Sequence, residues 1–259
     1  MATTNHEYKL NLTRGGADGS SSIHKFGYNP AVGTSFVPVS AGGIYATPQA
    51  SGATTLRIKA GGNALDDASG SGARKIRLQG LNQDGALITE DIATNGTSAS
   101  AATNQSFVRL FRAFVLESGT YASASAGSHA ADITVEDSGG TQDWAIISVN
   151  SFPMSQSEIA AYSVPKGFQA FVWSIDIEVD SNKSADVIFF KRESILDVAA
   201  PYQAMRVQER FDAVTADIHQ SFILPYRFDE LTDFAFMAKT SSGIAAVSVE
   251  FLIELRRKD

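Results

Sequence analysis

The residues of this sequence whose types and spacing best fit a catalytic site are paired carboxylates. A glycoside hydrolase needs only two acids at a suitable distance on a β scaffold, and it carries no further sequence signature. The candidate pairs are Asp66-Asp67, Glu90-Asp91, Asp176 with Glu178, and Asp229-Glu230. Neighbours in a strand point to opposite faces, so Glu90 and Asp91 would not share one site. Because Asp176 and Glu178 are expected on the solvent side of a regular strand, we predict ordinary surface charges at all these positions.

Metal ligation and nucleophilic catalysis find even less support in the sequence. No histidine lies in an H-x-x-x-H or H-x-H pattern, and G-x-S-x-G is absent. The four scattered histidines are His6, His24, His129 and His219. A calcium site formed by Asp66 and Asp67 lacks the spaced acids of an EF-hand loop. The run GSGARK from Gly70 lacks the glycine pattern and the ending of a phosphate-binding loop, so it is predicted to be a linker. We expect no catalytic residue, cofactor or metal ligand.

The elements that would position these side chains are predicted to be short strands. Asp84-Gly85 lies between alternating aliphatic residues and predicts a hairpin over Lys75 to Thr97, since Gly85 accepts the positive φ of a primed turn. Further strands are predicted in TTLRIKA, DITVED and DWAIISV. The segment SFVRLFRAFVLESG fits a helix nearly as well as a bulged strand, but its β-branched and aromatic content favours a strand.

The second half of the chain alternates more regularly. The run FQAFVWSIDIEVD predicts a half-buried strand, a turn over residues 180–184, and ADVIFFKRE as its antiparallel partner. Its predicted buried face comprises Phe171, Trp173, Ile175, Ile177 and Val179. The last strand, GIAAVSVEFLIELRRKD, presents Ala245, Val247, Val249, Phe251, Ile253 and Leu255 on one face. The segment Pro201 to Val214 fits a helix or a strand, and the sequence leaves this open.

These patterns predict an all-β protein of antiparallel β-sandwich or jelly-roll type, with one or two β domains. Residues 1–50 are rich in Gly, Ser, Thr and Asn, and we expect an extended N-terminal arm with at most one or two short strands. Residues 51–150 are predicted to form an N-terminal β domain, and residues 151–259 a C-terminal β-sandwich domain. The boundary is placed near Asn150 to Gln156, where Pro153 interrupts the pattern.

Charge and composition exclude several classes of partner. The net charge is −7, and basic residues cluster only at Arg256, Arg257 and Lys258, which argues against a nucleic-acid partner. Zero cysteine removes disulfides and thiol chemistry. No window approaches the ~18 apolar residues of a membrane span, and the first residues lack the apolar core of a secretory signal. We therefore expect a soluble protein that is made in a bacterial cytoplasm and binds no membrane.

Three runs carry a resemblance to a known group of proteins. They are KIRLQGLNQDGALITEDIATNGTSASAATNQSFVRLFRAFVLESGTYAS, AAYSVPKGFQAFVWSIDIEVDSNKSADVIFFKRE and LTDFAFMAKTSS. Together they resemble virion structural proteins of tailed bacteriophages, particularly those of marine bacteria. The resemblance implies a β-rich part of the particle, either a capsid decoration or cement protein or a component of the tail. It supplies no functional residues.

The sequence therefore favours a non-enzymatic virion protein, with a capsid decoration or cement protein as the first hypothesis. Such a subunit would bind the shell through its arm and one sheet edge. A tail, adaptor or receptor-binding component is the alternative, with loops Gly61 to Ala73 and Tyr121 to Ala130 as its contacts. A β-scaffold carbohydrate-active enzyme is the minority hypothesis. Expected partners are the major capsid protein or tail proteins and further copies of the chain, with a trimer favoured by the symmetry of such shells.

Overall fold

The computed structural model describes residues 5–17, 19–120, 127–149 and 155–258. Helix α1 spans Asn5–Thr13, and a short 3-10 helix spans Ala41–Gly43. The strands are β1 Ser20–Val32, β2 Val37–Pro38, β3 Thr54–Ile58, β4 Ala73–Asn82, β5 Leu87–Ala93, β6 Ser106–Ser118, β7 Ile133–Asp137, β8 Asp143–Ile147, β9 Ala161–Ser163, β10 Phe168–Val179, β11 Ala185–Arg192, β12 Arg206–Val214, β13 Asp217–Phe228, β14 Asp233–Thr240 and β15 Ala245–Arg257.

Eight of these strands form a sandwich with jelly-roll topology. Sheet A has the order β1-β15-β10-β13, and sheet B has the order β12-β11-β14-β2, with β9 pairing with β14 beside β2. Numbered along the chain, the eight strands are ordered 1-8-3-6 in sheet A and 5-4-7-2 in sheet B. Most successive strands therefore lie in opposite sheets, as in the double Greek key of a jelly roll. The predicted all-β antiparallel sandwich is confirmed.

The remaining strands form an insertion into this sandwich. Sheet C has the order β5-β4-β6-β3-β7-β8, and all of its strands lie between β2 and β9 in the chain. They fall within residues 51–150, where the sequence predicts strands in TTLRIKA, SFVRLFRAFVLESG, DITVED and DWAIISV, and each of these is confirmed as a strand. The boundary predicted near residue 150 falls largely outside the described residues, so the division into two domains stays a prediction.

Two buried clusters hold the three sheets together. The larger cluster lies between sheets A and B, where the ring of Phe189 stacks on Phe236 with centroids 4.6 Å apart and meets Phe228 edge-on at 5.7 Å. The next residue, Phe190, points to the opposite face of β11, because side chains alternate along a strand. It joins the second cluster, which includes Trp144 and packs sheet C against the outer face of sheet B.

The hairpin predicted over Lys75 to Thr97 is confirmed, with residues 75–81 of β4 paired with the whole of β5. Its turn is longer than a two-residue primed turn. The side chain of Asn82 accepts hydrogen bonds from the backbone amides of Asp84 and Ala86, both at 2.9 to 3.0 Å. Gly85 has a φ of 76°, the left-handed conformation that the sequence predicts there.

The predicted buried face of β10 is wrong for its first half. The register slips between Val172 and Ser174 against both neighbouring strands, which is a β-bulge. The extra residue shifts the alternation, so Val172 is buried together with Ile175 while Phe171 and Trp173 turn toward the outer face. A period-two pattern cannot show where a bulge changes its phase.

The predicted pairing of ADVIFFKRE with the preceding strand is also wrong. The segment forms β11, which pairs with β12 and β14 in sheet B, whereas β10 pairs with β13 and β15 in sheet A. Residues 180–184 carry the chain across the end of the sandwich from one sheet to the other. Turn residues predict that the chain reverses, but they do not decide whether the returning strand stays in the same sheet.

The end of the chain follows the prediction closely. All six residues of the predicted apolar face of β15 are buried, from Ala245 to Leu255. The segment that the sequence leaves open between helix and strand is an extended loop followed by strand β12.

No helix in the described parts of the chain is long and apolar enough to span a membrane.

The extended arm predicted over residues 1–50 is wrong for residues 20–32. These residues form β1, which pairs with β15 from Ser20 to Val32 and completes sheet A. Close approach explains one of its small residues: a Cβ on Gly27 would lie 2.1 Å from the amide nitrogen of Ala160 and 2.2 Å from the carbonyl oxygen of Val39. The partner strand supplies the hydrogen bonds and burial that composition alone does not reveal. Deletion of residues 1–40 would therefore remove two sandwich strands, β1 and β2, and would not spare the fold.

Candidate functional site

The acids Asp66 and Asp67 hold a loop in place. The surface charge predicted at Asp66 is wrong, because this residue is buried. Its carboxylate accepts hydrogen bonds from the backbone amides of Ala73, Ala130 and Ala131 at 2.9 to 3.1 Å. The pKa of Asp67 is lowered, first by a hydrogen bond from the backbone amide of Ser69. These contacts anchor the predicted contact loop 61–73. Residues 121–126 of the second predicted loop lie outside the described residues.

Glu90 and Asp91 lie on neighbouring positions of β5 and have separate partners, as the sequence predicts. Glu90 accepts hydrogen bonds from the backbone amides of Asn104 at 2.6 Å and Gln105 at 2.9 Å. Asp91 is bound through both oxygens by Arg77, at 2.7 and 2.8 Å. The hydrogen bond from Arg77 lowers the pKa of Asp91. Glu90 thus holds residues 104–105 in place, Asp91 forms a surface ion pair, and the two acids do not converge on one site.

Asp229 and Glu230 are paired with cations near the end of β15. Arg227 donates to Asp229 at 3.0 Å, and this contact lowers the pKa of the Asp229 carboxyl. Glu230 accepts from the backbone amide of Gly167 at 2.6 Å and from Lys258 at 2.9 Å. The amide of Gly167 is the first cause of the lowered pKa of Glu230. Neither carboxyl has the raised pKa that a general acid requires.

Asp176 belongs to a chain of side chains that the sequence analysis missed. His219 lies opposite it on β13, and its Nδ1 contacts the Asp176 carboxylate, while Nε2 lies 3.1 Å from the hydroxyl of Ser221. This is the order of contacts in a Ser-His-Asp triad. However, the side chain of His219 is 66% exposed on the open face of sheet A, where water is not excluded. Glu178 is exposed on the same strand and is not part of the chain.

The other histidines lie apart from one another. His24 lies 3.4 Å from Glu250 on the surface. His129 is buried, with Nδ1 at 2.9 Å from the Ser128 hydroxyl, and burial lowers its pKa. The side chain of His6 is outside the described part of the structure. Among the described residues, no group of three His, Cys, Asp or Glu side chains could hold a metal ion.

A buried ion pair links the insertion to the sandwich, and the sequence analysis did not find it. Arg109 on β6 and Asp233 on β14 are 0% and 1% exposed, and the guanidinium donates to the carboxylate at 2.7 and 2.9 Å. The hydroxyl of Ser163 also donates to Asp233. Burial opposes the charge of Arg109, but the attraction of Asp233 outweighs it and raises the pKa of Arg109. The visible signal is a single arginine inside the apolar run FVRLF.

One edge of the sandwich differs from the other. Strands β12 and β13 are the edge strands of sheets B and A on one side, and most of their residues are exposed or half-buried. On the opposite side, β1 and β2 lie against β9 and sheet C, where the amide of Ala160 donates to Val39 and the ammonium of Lys25 donates to the carbonyl of Phe111. The β12–β13 edge is therefore the side on which another protein can pair or pack.

An apolar protrusion stands on this edge. Ile223 and Leu224 are 96% and 85% exposed. They project because residues 222–225 of β13 lie opposite the single residue Trp173 of β10, where the register passes from Tyr226 to Ser221. Full burial of an aliphatic side chain is favourable by about 1.5–3 kcal/mol, so a partner that covers both residues would gain binding energy here.

Polar contacts brace the base of the protrusion. Gln220 and Tyr226 flank the protrusion on β13. Glu209 on β12 accepts hydrogen bonds from Gln220 at 2.9 Å and from the Tyr226 hydroxyl at 3.0 Å. The ring of Phe222 packs edge-on against Tyr226 with centroids 4.9 Å apart. The sequence signal was Pro225, because proline within a strand marks an edge or a bulge.

Comparisons with known proteins add little. No protein-family model and no curated protein matches the chain. The structure of infectious bursal disease virus Gt strain is similar over 93% of this chain and 78% of that chain, with 9% identity and a TM-score of 0.22. The T=1 particles derived from infectious bursal virus are similar over 93% of this chain and 74% of that chain, with 10% identity and a TM-score of 0.23.

A third solved structure comes from a different kind of protein. The insecticidal delta-endotoxin Cry8Ea1 from Bacillus thuringiensis is similar over 91% of this chain and 60% of that chain, with 8% identity and a TM-score of 0.18. At TM-scores this low, none of these likenesses carries an argument for the fold or the function of this chain.

Proposed function

We propose that this protein is a non-enzymatic structural component of a virus particle, and specifically a decoration or cement protein on the head of a tailed phage. The observation that carries the proposal is the β12–β13 edge, from which Ile223 and Leu224 project nearly fully exposed. The sequence resemblance to phage virion proteins supports the location. The jelly roll suits the role but does not carry it, since one fold serves many functions.

The proposed partner of this edge is a neighbouring shell protein. Binding to the assembled shell but not to its free subunits would stabilise the particle by linkage. We further propose that copies of the chain form a trimer on the shell, and that neither nucleic acid nor membrane is a partner, in keeping with the net charge of −7. A carbohydrate-active enzyme is the weaker hypothesis, because Asp66, Glu90, Asp91 and Asp229 are each held by structural hydrogen bonds.

The experiment uses particles produced in host cells that carry either the native gene or a variant. Particles are purified on a density gradient, and bound protein is measured by immunoblot and located by immunogold microscopy. We expect the native protein on heads, and at least tenfold less of the variant Ile223→Asp/Leu224→Asp. The matched control is Ile244→Asp, because Ile244 is 60% exposed in the turn before β15, away from this edge. The control should bind normally.

Three outcomes would contradict the proposal. Native protein that stays free in the lysate while particles lack it would remove the virion role. Gold label confined to the tail would replace the cement role by the tail or receptor-binding alternative. Equal occupancy of the double variant and the control would show that the β12–β13 edge is not the binding surface.

A further inference from the structure

A cavity of about 330 Å³ lies between the β1 side of sheet A and sheet C. Strand β1 contributes Lys25 to its wall, and β6 contributes Arg112. No aspartate or glutamate is among the residues that line it. The cavity is therefore cationic in a chain whose net charge is −7.

Lys25 has fewer partners than its burial demands. Lys25 is 8% exposed, and its ammonium donates one hydrogen bond, at 2.7 Å, to the carbonyl of Phe111. Among the described residues, no carboxylate lies within ion-pair distance of it. Buried charges in proteins are normally paired, because an isolated one loses its hydration without compensation. Burial, followed by the charge of Arg112, lowers the pKa of Lys25 to about 7.

Arg112 also lacks a carboxylate partner within the described chain. Its Nε donates to the side-chain oxygen of Gln156 at 3.1 Å, and its guanidinium stands over the ring of Phe114 at 5.5 Å. These contacts hold the arginine at the wall of the cavity without neutralising it. Two neighbouring cations repel each other, and an anion placed between them would relieve that repulsion and accept the unused N–H groups.

The remaining walls of the cavity are mixed: Ser21, His24, Gln79 and Thr89 are polar, Phe111 and Tyr162 are aromatic, and the other lining residues are aliphatic. Ile23, Leu87, Ile88 and Leu255 line it beside the two cations. We propose that this cavity binds a small amphipathic monocarboxylate, whose carboxylate contacts Lys25 and Arg112 and whose hydrocarbon part packs against these aliphatic side chains. The aliphatic part of the wall suits a monoanion with a short hydrocarbon body better than a hydrated dianion such as phosphate. The site is distinct from the β12–β13 edge and goes beyond the proposed function.

Binding should be coupled to proton uptake. A carboxylate beside Lys25 favours the charged amine, so it raises the pKa of that residue. At pH 8 the free protein holds Lys25 mainly neutral, and the bound protein would hold it charged. Each binding event therefore takes up nearly one proton from the buffer.

The test is calorimetric titration of the purified full-length protein with hexanoate at pH 8, in two buffers of different protonation enthalpy. We expect binding with an uptake approaching one proton, and binding of 1-hexanol or inorganic phosphate at least tenfold weaker. Lys25→Met should reduce hexanoate affinity at least tenfold. Lys75→Met is the control, because Lys75 is paired with Glu117 at 2.6 Å on the surface of sheet C, and it should bind as the native protein does.

Several results would overturn the inference. They are absence of hexanoate binding, equal binding of hexanol, preference for phosphate, or unchanged affinity in folded Lys25→Met. If that variant does not fold, the native protein still decides. Carbon-13 NMR of reductively methylated lysines reports the pKa of Lys25 with and without saturating hexanoate. A pKa that does not rise would exclude contact between Lys25 and the carboxylate.

Discussion

Replacement of Asp233 by alanine should be among the most damaging single changes in this protein. The substitution leaves the guanidinium of Arg109 charged, 0% exposed and without its carboxylate. Breaking one side of a buried pair typically costs about 3–5 kcal/mol, because the remaining charge is neither hydrated nor compensated. For a chain of this size, each kcal/mol lowers Tm by about 2–4 °C, so we expect a decrease of about 6–20 °C.

A double-mutant cycle separates this effect from the loss of packing. Arg109→Met/Asp233→Leu replaces both charges by apolar side chains, and such replacements are often close to neutral. The double variant should therefore be more stable than Asp233→Ala, although it carries more substitutions. Unfolding free energies come from urea titrations followed by circular dichroism and by tryptophan fluorescence, whose transitions must coincide for a two-state analysis.

The exposed pair formed by Arg77 and Asp91 is the matched control. Its side chains are 36% and 31% exposed, and exposed pairs contribute about 0–1 kcal/mol. Asp91→Ala should thus be nearly silent. The reasoning would be refuted if Asp233→Ala cost no more than Asp91→Ala, or if the effects of the single replacements Arg109→Met and Asp233→Leu simply added in the double variant.

The remaining predictions concern pH, packing and catalysis. Folding lowers the pKa of Lys25 to about 7. Above that pH the unfolded chain therefore binds more protons than the folded one. The unfolding free energy should thus rise between pH 7 and 10, by up to about 1.4 kcal/mol per pH unit. Urea titrations of Lys25→Met should lack this rise. Gly27→Ala should lower the unfolding free energy by about 1–3 kcal/mol in the same titrations, because its Cβ would lie 2.1 Å from a backbone nitrogen. Gly33→Ala should be nearly silent, since its Cβ would meet nothing within 4 Å. Hydrolysis of p-nitrophenyl acetate should be equal for the native protein and Ser221→Ala, and a loss in the variant would show that the exposed Ser221, His219 and Asp176 act as a catalytic triad.

Local patterns predicted the strands well where each strand is regular. The alternation in GIAAVSVEFLIEL is sufficient for β15, since one register buries Val247, Val249, Phe251, Ile253 and Leu255 together. The Asp84-Gly85 turn similarly identified the β4–β5 hairpin. These predictions succeeded because period and turn chemistry act between residues close in sequence.

The same local patterns could not predict pairing between strands that lie far apart in the chain. The polar composition of residues 20–32 predicts an arm, yet β15, more than 200 residues later, turns this segment into a sheet strand. The bulge at Trp173 is likewise visible only in the pairing with β15, where Val172 and Ser174 lie opposite the consecutive residues Ile253 and Leu252. Neither feature leaves a periodic signal within its own segment.

The sequence by itself determined that this is an all-β, cysteine-free, acidic protein. Only the tertiary structure decided which strands share a sheet, which edge stays uncovered, where Arg109 meets Asp233, and which cavity Lys25 and Arg112 line together. The physical reason is that burial and charge pairing are properties of neighbours in space. Those neighbours lie far apart in the chain, and the packing of three sheets brings them together.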